Sequence, residues 1–192
     1  MDTSNTTMLV IVAVLFLVIG ALLAFAITRF QRTKRLRDRF GSEYDRMVNR
    51  RGDKRQAEDE LEARLAHVQK LNIRSLSAEE VNRFALEWQR IQAEFVDQPL
   101  SSVQKANRLI REVMSTRGYP VEDFEQRAAD ISVDYPELVT NYRELHEIAQ
   151  KGEREKISTE EMRQAMVHGR ELFESLVQPK MQEEDVQQKE TV

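Results

Sequence analysis

The 192-residue chain has no cysteine. Disulfides, thiolate metal sites and cysteine nucleophiles are therefore excluded. Its 6 glycines nowhere gather into a phosphate-cradling loop, and neither a G-x-S-x-G elbow nor a calcium loop occurs. The 4 prolines act as helix punctuation. No stretch keeps the period-two alternation of a strand, so essentially no sheet is expected. The 3 histidines, His67, His146 and His168, fall on three different predicted helices. The segment His146-Glu147-Ile148-Ala149-Gln150 comes nearest to a zinc motif, but glutamine stands where a second imidazole is required. No metal, cofactor or catalytic residue is expected.

Long apolar runs are missing as well, with one exception. Met8 to Ile27 reads MLVIVAVLFLVIGALLAFAI, and about 20 helical residues rise ~30 Å, the thickness of a bilayer core. Only Asp2 is charged before this run, whereas Arg29, Arg32, Lys34, Arg35, Arg37 and Arg39 follow it at once. Lys and Arg beside a membrane helix are retained on the cytoplasmic side. The expected topology is an N-terminus outside, one span, and a cytoplasmic C-terminal domain. The rival is a cleaved signal peptide, with Ala24-Phe25-Ala26 as its small-x-small site and an exported product. Against it stand the missing positive charge before the run, the length of the run and the basic stretch after it.

A formal net charge of -4 hides an asymmetry. Arg29 to Arg55 holds 11 Lys/Arg against 4 Asp/Glu, while Gln56 onward holds 18 against 28. The basic segment abuts the membrane, where an anionic leaflet attracts each cation by ~1 kcal/mol. The six basic residues from Arg29 to Arg39 are the expected membrane-surface contacts. Nucleic acid is not an expected partner, because no recognition-helix context surrounds the block and the acidic remainder repels phosphate. Leu36, Phe40, Tyr44, Met47 and Val48 recur at steps of three and four. They predict a basic amphipathic neck helix, bent at Gly41, that lies on headgroups or continues the membrane helix.

Beyond the neck the helix punctuation is legible. Asp53 to Gln56, Ser77 to Glu80 and Ser158 to Glu161 have the capping-box form. Pro99 suits a first helical turn, and Gly118 suits a C-cap. Asp134-Tyr135-Pro136-Glu137 is expected to cap a further helix. The stripe Val81, Phe84, Trp88, Ile91 and Phe95 marks the strongest core helix, with the single tryptophan as a core anchor. The expectation is an all-α protein: residues 1–7 outside, a span over 8–28, a neck over 29–55, a bundle of about six helices over 56–177, and a disordered tail over 178–192.

Arg117 to Glu137, RGYPVEDFEQRAADISVDYPE, is the most distinctive stretch of the domain. Tyrosines and an arginine beside acidic groups can form a ligand or partner site, and the candidates are Tyr119, Asp123, Arg127, Tyr135, Tyr142 and His146. The plainer explanation is that tight helix connections need tyrosine, proline and cap residues, and turn chemistry accounts for each of them.

The runs RFGSEYDRMV, FVDQP, VMSTRGYPVEDFEQRAADISVDYPELV and NYRELH, spread from Arg29 to Ile148, resemble a family of uncharacterised bacterial proteins. Its members have one N-terminal membrane helix and a helical domain, and are described as membrane or secreted proteins. The resemblance implies a bacterial inner-membrane setting and brings no activity, cofactor or catalytic residue. Family members carry S-V-D-H-P where this chain has Tyr135, so a histidine role at that turn is not available here. Together these features lead to a membrane-anchored interaction or scaffold module that binds a protein partner or itself. The alternatives are an enzyme or small-ligand binder with a pocket in 117–177, and an exported protein.

Overall fold

The apolar run and the basic stretch after it form one unbroken helix, α1 (Thr3–Phe40). The computed structural model describes residues 3–152 and 156–178, with side chains from residue 12; the expected tail beyond Gln178 and the first residues of the N-terminus lie outside that range. Among the described residues seven further helices follow: α2 (Ser42–Arg51), α3 (Lys54–Val68), α4 (Ala78–Glu94), α5 (Pro99–Arg117), α6 (Phe124–Asp134), α7 (Val139–Lys151) and α8 (Thr159–Val177). Among the described residues there is no strand. The protein is all-helical, with one N-terminal apolar helix long enough to cross a membrane.

The chain divides into two compact units, Met1–Leu61 and Glu62–Val192, the division falling inside α3. In the first unit, α1 stops at Gly41, whose φ of 50° is open to glycine and strained for other residues. Leu36, Phe40, Tyr44, Met47, Ala57 and Leu61 are buried there. Among them sits a buried carboxylate, Glu58. Thr33 Oγ1 donates to its Oε1 at 2.7 Å and the Tyr44 hydroxyl at 3.0 Å. Arg32 and Lys54 stand 4.0 Å and 3.9 Å away. A carboxylate removed from water is tolerated when donors and cations surround it in this way. Burial, and then the bond to Glu58, pushes the Tyr44 phenol up to about 12.

In the second unit α5 is central, with α4, α7 and α8 packed on it and α7 packed on both α8 and α6. Its Val103, Ala106, Ile110 and Val113 are fully buried, as a helix covered on several faces requires. Capping boxes start α4 at Ser77 and Glu80 and α8 at Ser158 and Glu161, and Pro99 opens α5. Gly118 ends α5 at φ 100°, and a Cβ there would lie 2.4 Å from the Asn72 carbonyl oxygen. No residue with a side chain occupies that position without moving the backbone.

One helix start differs from the sequence expectation. Helix α7 begins after Leu138 with no side-chain cap, and residues 136–138 form a turn. Asp134 cannot cap it, because α6 runs through Asp134 to its own end, five positions before Val139, and its carboxylate accepts the Tyr119 hydroxyl at 2.6 Å. The acid that local sequence assigns to a cap is taken by a partner from the preceding loop.

Candidate functional site

The six candidate residues of the 117–146 region fall into two polar groups and one cap. Asp123 is the cap: its carboxylate accepts the Gln126 amide at 2.8 Å and starts α6. The first group centres on Arg117, which is buried at the end of α5. Its Nη1 donates to the Tyr135 hydroxyl at 2.8 Å and to the Leu176 carbonyl at 3.2 Å. Its Nε donates to the Arg74 carbonyl at 3.2 Å. One guanidinium thus ties the loop before α4, the turn after α6 and the last turn of α8. That last turn has carbonyls with no partner inside the helix. Tyr119, bonded to Asp134, lies beside it, and burial raises its phenol well above the ordinary tyrosine value.

The second group centres on Arg127 of α6. Its Nε donates to the fully buried Tyr142 hydroxyl at 3.0 Å, and its Nη1 bonds the Val121 carbonyl. Phe124 stacks on the His146 ring, with centroids 3.7 Å apart, and Asn107 reaches His146 Nδ1 at 3.4 Å. Burial, followed by the nearby Arg127 charge, lowers the His146 pKa, which keeps the imidazole neutral at physiological pH. The buried Arg117 and Arg127 donors named above meet acceptors of the fold. The arginines act as internal ties, and the residues converge on one another.

The histidines stay apart. His67 Nε2 lies 3.6 Å from Asp130, His168 Nδ1 lies 2.7 Å from Glu144, and His146 stacks on Phe124. Asp130 is the acid that sequence reading underrated. It is fully buried, accepts from Gln126 at 2.8 Å through Oδ1, and its Oδ2 has no hydrogen-bond partner among the described residues. Burial raises its carboxyl pKa.

The six basic residues after the apolar run all lie on α1. Arg32 pairs with Asp59 at 2.6 Å and Arg37 with Asp45 at 3.3 Å. The Arg29 guanidinium lies 5.9 Å from the Phe25 ring centre. Lys34, Arg35 and Arg39 are exposed. Because the helix does not break, each cation is set at a fixed height past Ile27. Arg29 stands about 3 Å along the axis, Lys34 about 10 Å and Arg39 about 18 Å.

Clefts open between helices of the second unit among the described residues. One, of about 500 Å³, lies between α4 and α5 over Phe84, Ile91 and Leu109. Its walls carry charges of both signs, and Arg83 and Glu112 stand 3.6 Å apart across it. The other is a trough between α4 and α8. Both helices rest on α5, and the gap between them is bridged by Trp88 stacked on Phe173 at 4.6 Å. Cavities of about 370 Å³ and 210 Å³ flank this stack and share Gln92 and Arg170. Val81 and Val177 line one end, Phe95 and Met166 the other. Val167, on the rim, is 41% exposed. The buried Trp88 indole N–H has no acceptor, which costs about 1–3 kcal/mol.

The trough escapes sequence reading because its floor residues obey the core periodicity. The signal that remained was Val167, an apolar residue beside the buried stripe of α8. Comparison with protein-family profiles, with curated proteins and with solved structures finds no match.

Proposed function

We propose that the chain is a single-pass, membrane-anchored helical interaction module with its folded domain on the cytoplasmic side. The observation that carries this reading is the unbroken α1. From Val12 to Phe30 its large apolar side chains are exposed, Phe16 by 71% and Leu17 by 74%, and only at Leu36 does the helix begin to bury side chains. An apolar surface of that length has no place in water and matches a hydrocarbon core. The missing positive charge before the run and the basic stretch after it support a retained anchor over a cleaved signal. The bacterial inner membrane is the setting that the family resemblance suggests.

The heights of the cations sharpen the electrostatic part. With α1 along the membrane normal, Arg29 and Arg32 lie within the headgroup layer, which extends roughly 5–8 Å beyond each face of the core, and Lys34 stands just past it. Arg37 and Arg39 stand about 15–18 Å out, where screening over ~8 Å removes most of the attraction. In the domain, the side chains of Arg117, Tyr119, Arg127, Tyr135 and Tyr142 are bonded within the fold. An interaction role is thereby favoured over chemistry.

The test is topological. Cytoplasm-active and export-active reporters are fused separately after Val177, and the apparent mass is measured. Activity of the cytoplasmic reporter at full length is the expected result. Export activity, or a product shorter by about 26 residues, the length up to the small-x-small site, refutes the anchor.

A further inference from the structure

The cations that follow the apolar run do not share one face of α1. Gln31, Lys34, Arg35, Asp38 and Arg39 line its exposed side. Arg29, Arg32 and Thr33 are half-buried on the other side, in line with the buried Leu36, as residues three and four apart on a helix are. That side meets α3. Thr33 donates to Glu58 at 2.7 Å, and Arg32 pairs with Asp59 at 2.6 Å. The first turns of α3 therefore come back to the level of Arg32, about 8 Å past Ile27 along the axis.

One exposed carboxylate is shared there among three guanidiniums. Arg55 lies one turn before Asp59 on α3, and Arg29 about one turn before Arg32 on α1. The bond from Arg32, and then the charges of Arg32, Arg55 and Arg29, hold the Asp59 carboxyl below the usual carboxylate range. The neighbouring acids are committed elsewhere. Glu58 is buried against Thr33 and Tyr44 with Lys54 at 3.9 Å, and Glu62, a turn farther along α3, is engaged as well. Arg29 rests on the Phe25 ring at 5.9 Å and Arg55 is exposed, so both guanidiniums keep donors for a further acceptor.

A phosphodiester is the acceptor that a bilayer supplies at this level. Its two unesterified oxygens share one negative charge and match the guanidinium fork, and it lies in the headgroup layer where Arg29 and Arg32 stand. We propose that Arg29, Arg32 and Arg55 form a site for the phosphate of one anionic membrane lipid, with Asp59 holding Arg32 toward it. The proposal rests on the membrane-anchor reading and deepens it, replacing a diffuse attraction of the whole basic stretch by one built site. It separates Arg29 and Arg32 from Lys34, Arg35 and Arg39, and it adds Arg55 from a different helix.

The full-length protein in neutral detergent micelles is titrated with phosphatidylglycerol, phosphatidylcholine and soluble glycerol phosphate, and bound molecules are counted by native mass spectrometry. One phosphatidylglycerol is expected to bind about ten-fold more tightly than phosphatidylcholine, at roughly five-fold for each cation near an anionic headgroup. Arg55→Gln should remove most of that preference. The paired substitution Arg29→Gln and Gln31→Arg keeps the net charge and moves it to the exposed side of α1, and should remove most of it too. Lys34→Gln should leave the preference at the wild-type value. Equal binding of the two lipids, a preference retained in the folded Arg55 or paired variant, or an equal loss in Lys34→Gln overturns the site. Binding of glycerol phosphate as tight as that of the lipid assigns the site to a free phosphate compound and overturns the lipid assignment. The count is made in micelles and does not depend on which side of a membrane the domain occupies, so its failure is distinct from failure of the topology test.

Discussion

Arg117→Ala should be among the most damaging single substitutions in the helical domain. The side chain is 6% exposed and its guanidinium donates to three oxygens on separate segments, the Tyr135 hydroxyl and the Arg74 and Leu176 carbonyls. A hydrogen bond from a charged donor contributes ~1.5–3 kcal/mol net, and a buried carbonyl left without a donor costs ~1–3 kcal/mol. Simple addition overstates the loss, because burying the guanidinium already costs several kcal/mol. Arg74 is exposed and Tyr135 half-buried, so water replaces part of what is lost there. The Leu176 carbonyl bond is the buried one of the three. The expected destabilisation is about 3–4 kcal/mol, within the range for removing one partner of a buried charged group. In a domain of this size that lowers Tm by roughly 10 °C.

The assay is thermal unfolding of the full chain followed by far-ultraviolet circular dichroism, with Trp88 fluorescence as a second probe. Tyr135→Phe removes a single acceptor and should cost only about 1 kcal/mol. Arg117→Lys keeps the charge but not the fork that reaches several oxygens, so it should fall between wild type and alanine. A loss below about 1 kcal/mol for Arg117→Ala would refute the reasoning, since it would mean that the three bonds contribute no more than one exposed contact.

Gly118→Ala should cost at least 2 kcal/mol, from a left-handed backbone strained for alanine and a Cβ pressed on the Asn72 carbonyl; chemical denaturation measures it, and a neutral result would refute the close approach. Asp130→Asn should stabilise the protein near neutral pH by on the order of 1 kcal/mol, because a buried carboxylate with an unpartnered oxygen becomes neutral. The sign follows from linkage. A carboxyl whose folded pKa is raised binds more protons folded than unfolded between the two values, so stability falls as pH rises through that window. The gain from Asp130→Asn should therefore shrink as pH falls toward the unfolded Asp value, and a gain independent of pH would count against it. Tyr44, Tyr119 and Tyr142 are all held above the usual phenol value, chiefly by burial. In a Tyr135→Phe chain, tyrosinate absorbance should stay absent near pH 10, and stability should fall as pH rises through 10 toward about 12. Early ionisation in the folded state would contradict the buried positions.

Local chemistry made most elements legible. The all-helical class followed from apolar spacing, and the starts of α4 and α8 from Ser77/Glu80 and Ser158/Glu161, because a capping box is settled within four residues. The start of α7 was not legible. Asp134 has the local form of a cap, but α6 continues through it, α7 opens only after Leu138, and the Tyr119 hydroxyl, 15 positions away, holds its carboxylate. Local sequence also left open whether residues 36–48 continue the membrane helix. They do so as far as Phe40, and the left-handed Gly41 then starts a new helix.

The candidate site was hardest to read for a reason that runs opposite to intuition. Tyr119, Arg127, Tyr135 and Tyr142 attract attention in the sequence because polar and aromatic groups are the usual instruments of binding. Buried between short helices, however, such groups are obliged to satisfy one another, and that obligation accounts for their geometry here. A trough is produced by the reverse condition, two helices that share a neighbour without closing on each other. Nothing at Val81, Trp88, Phe173 or Val177 announces it, since each residue obeys the periodicity of a core position. What separates that surface from the core is the company it keeps. An indole N–H with no acceptor among the described residues lies buried beneath it, and Val167, Arg170 and Glu174 stand exposed on its rim. Trp88 and Phe173 are thus core residues in burial as well as in periodicity, and what the trough shows to solvent is a largely polar rim that neither criterion marks in the sequence.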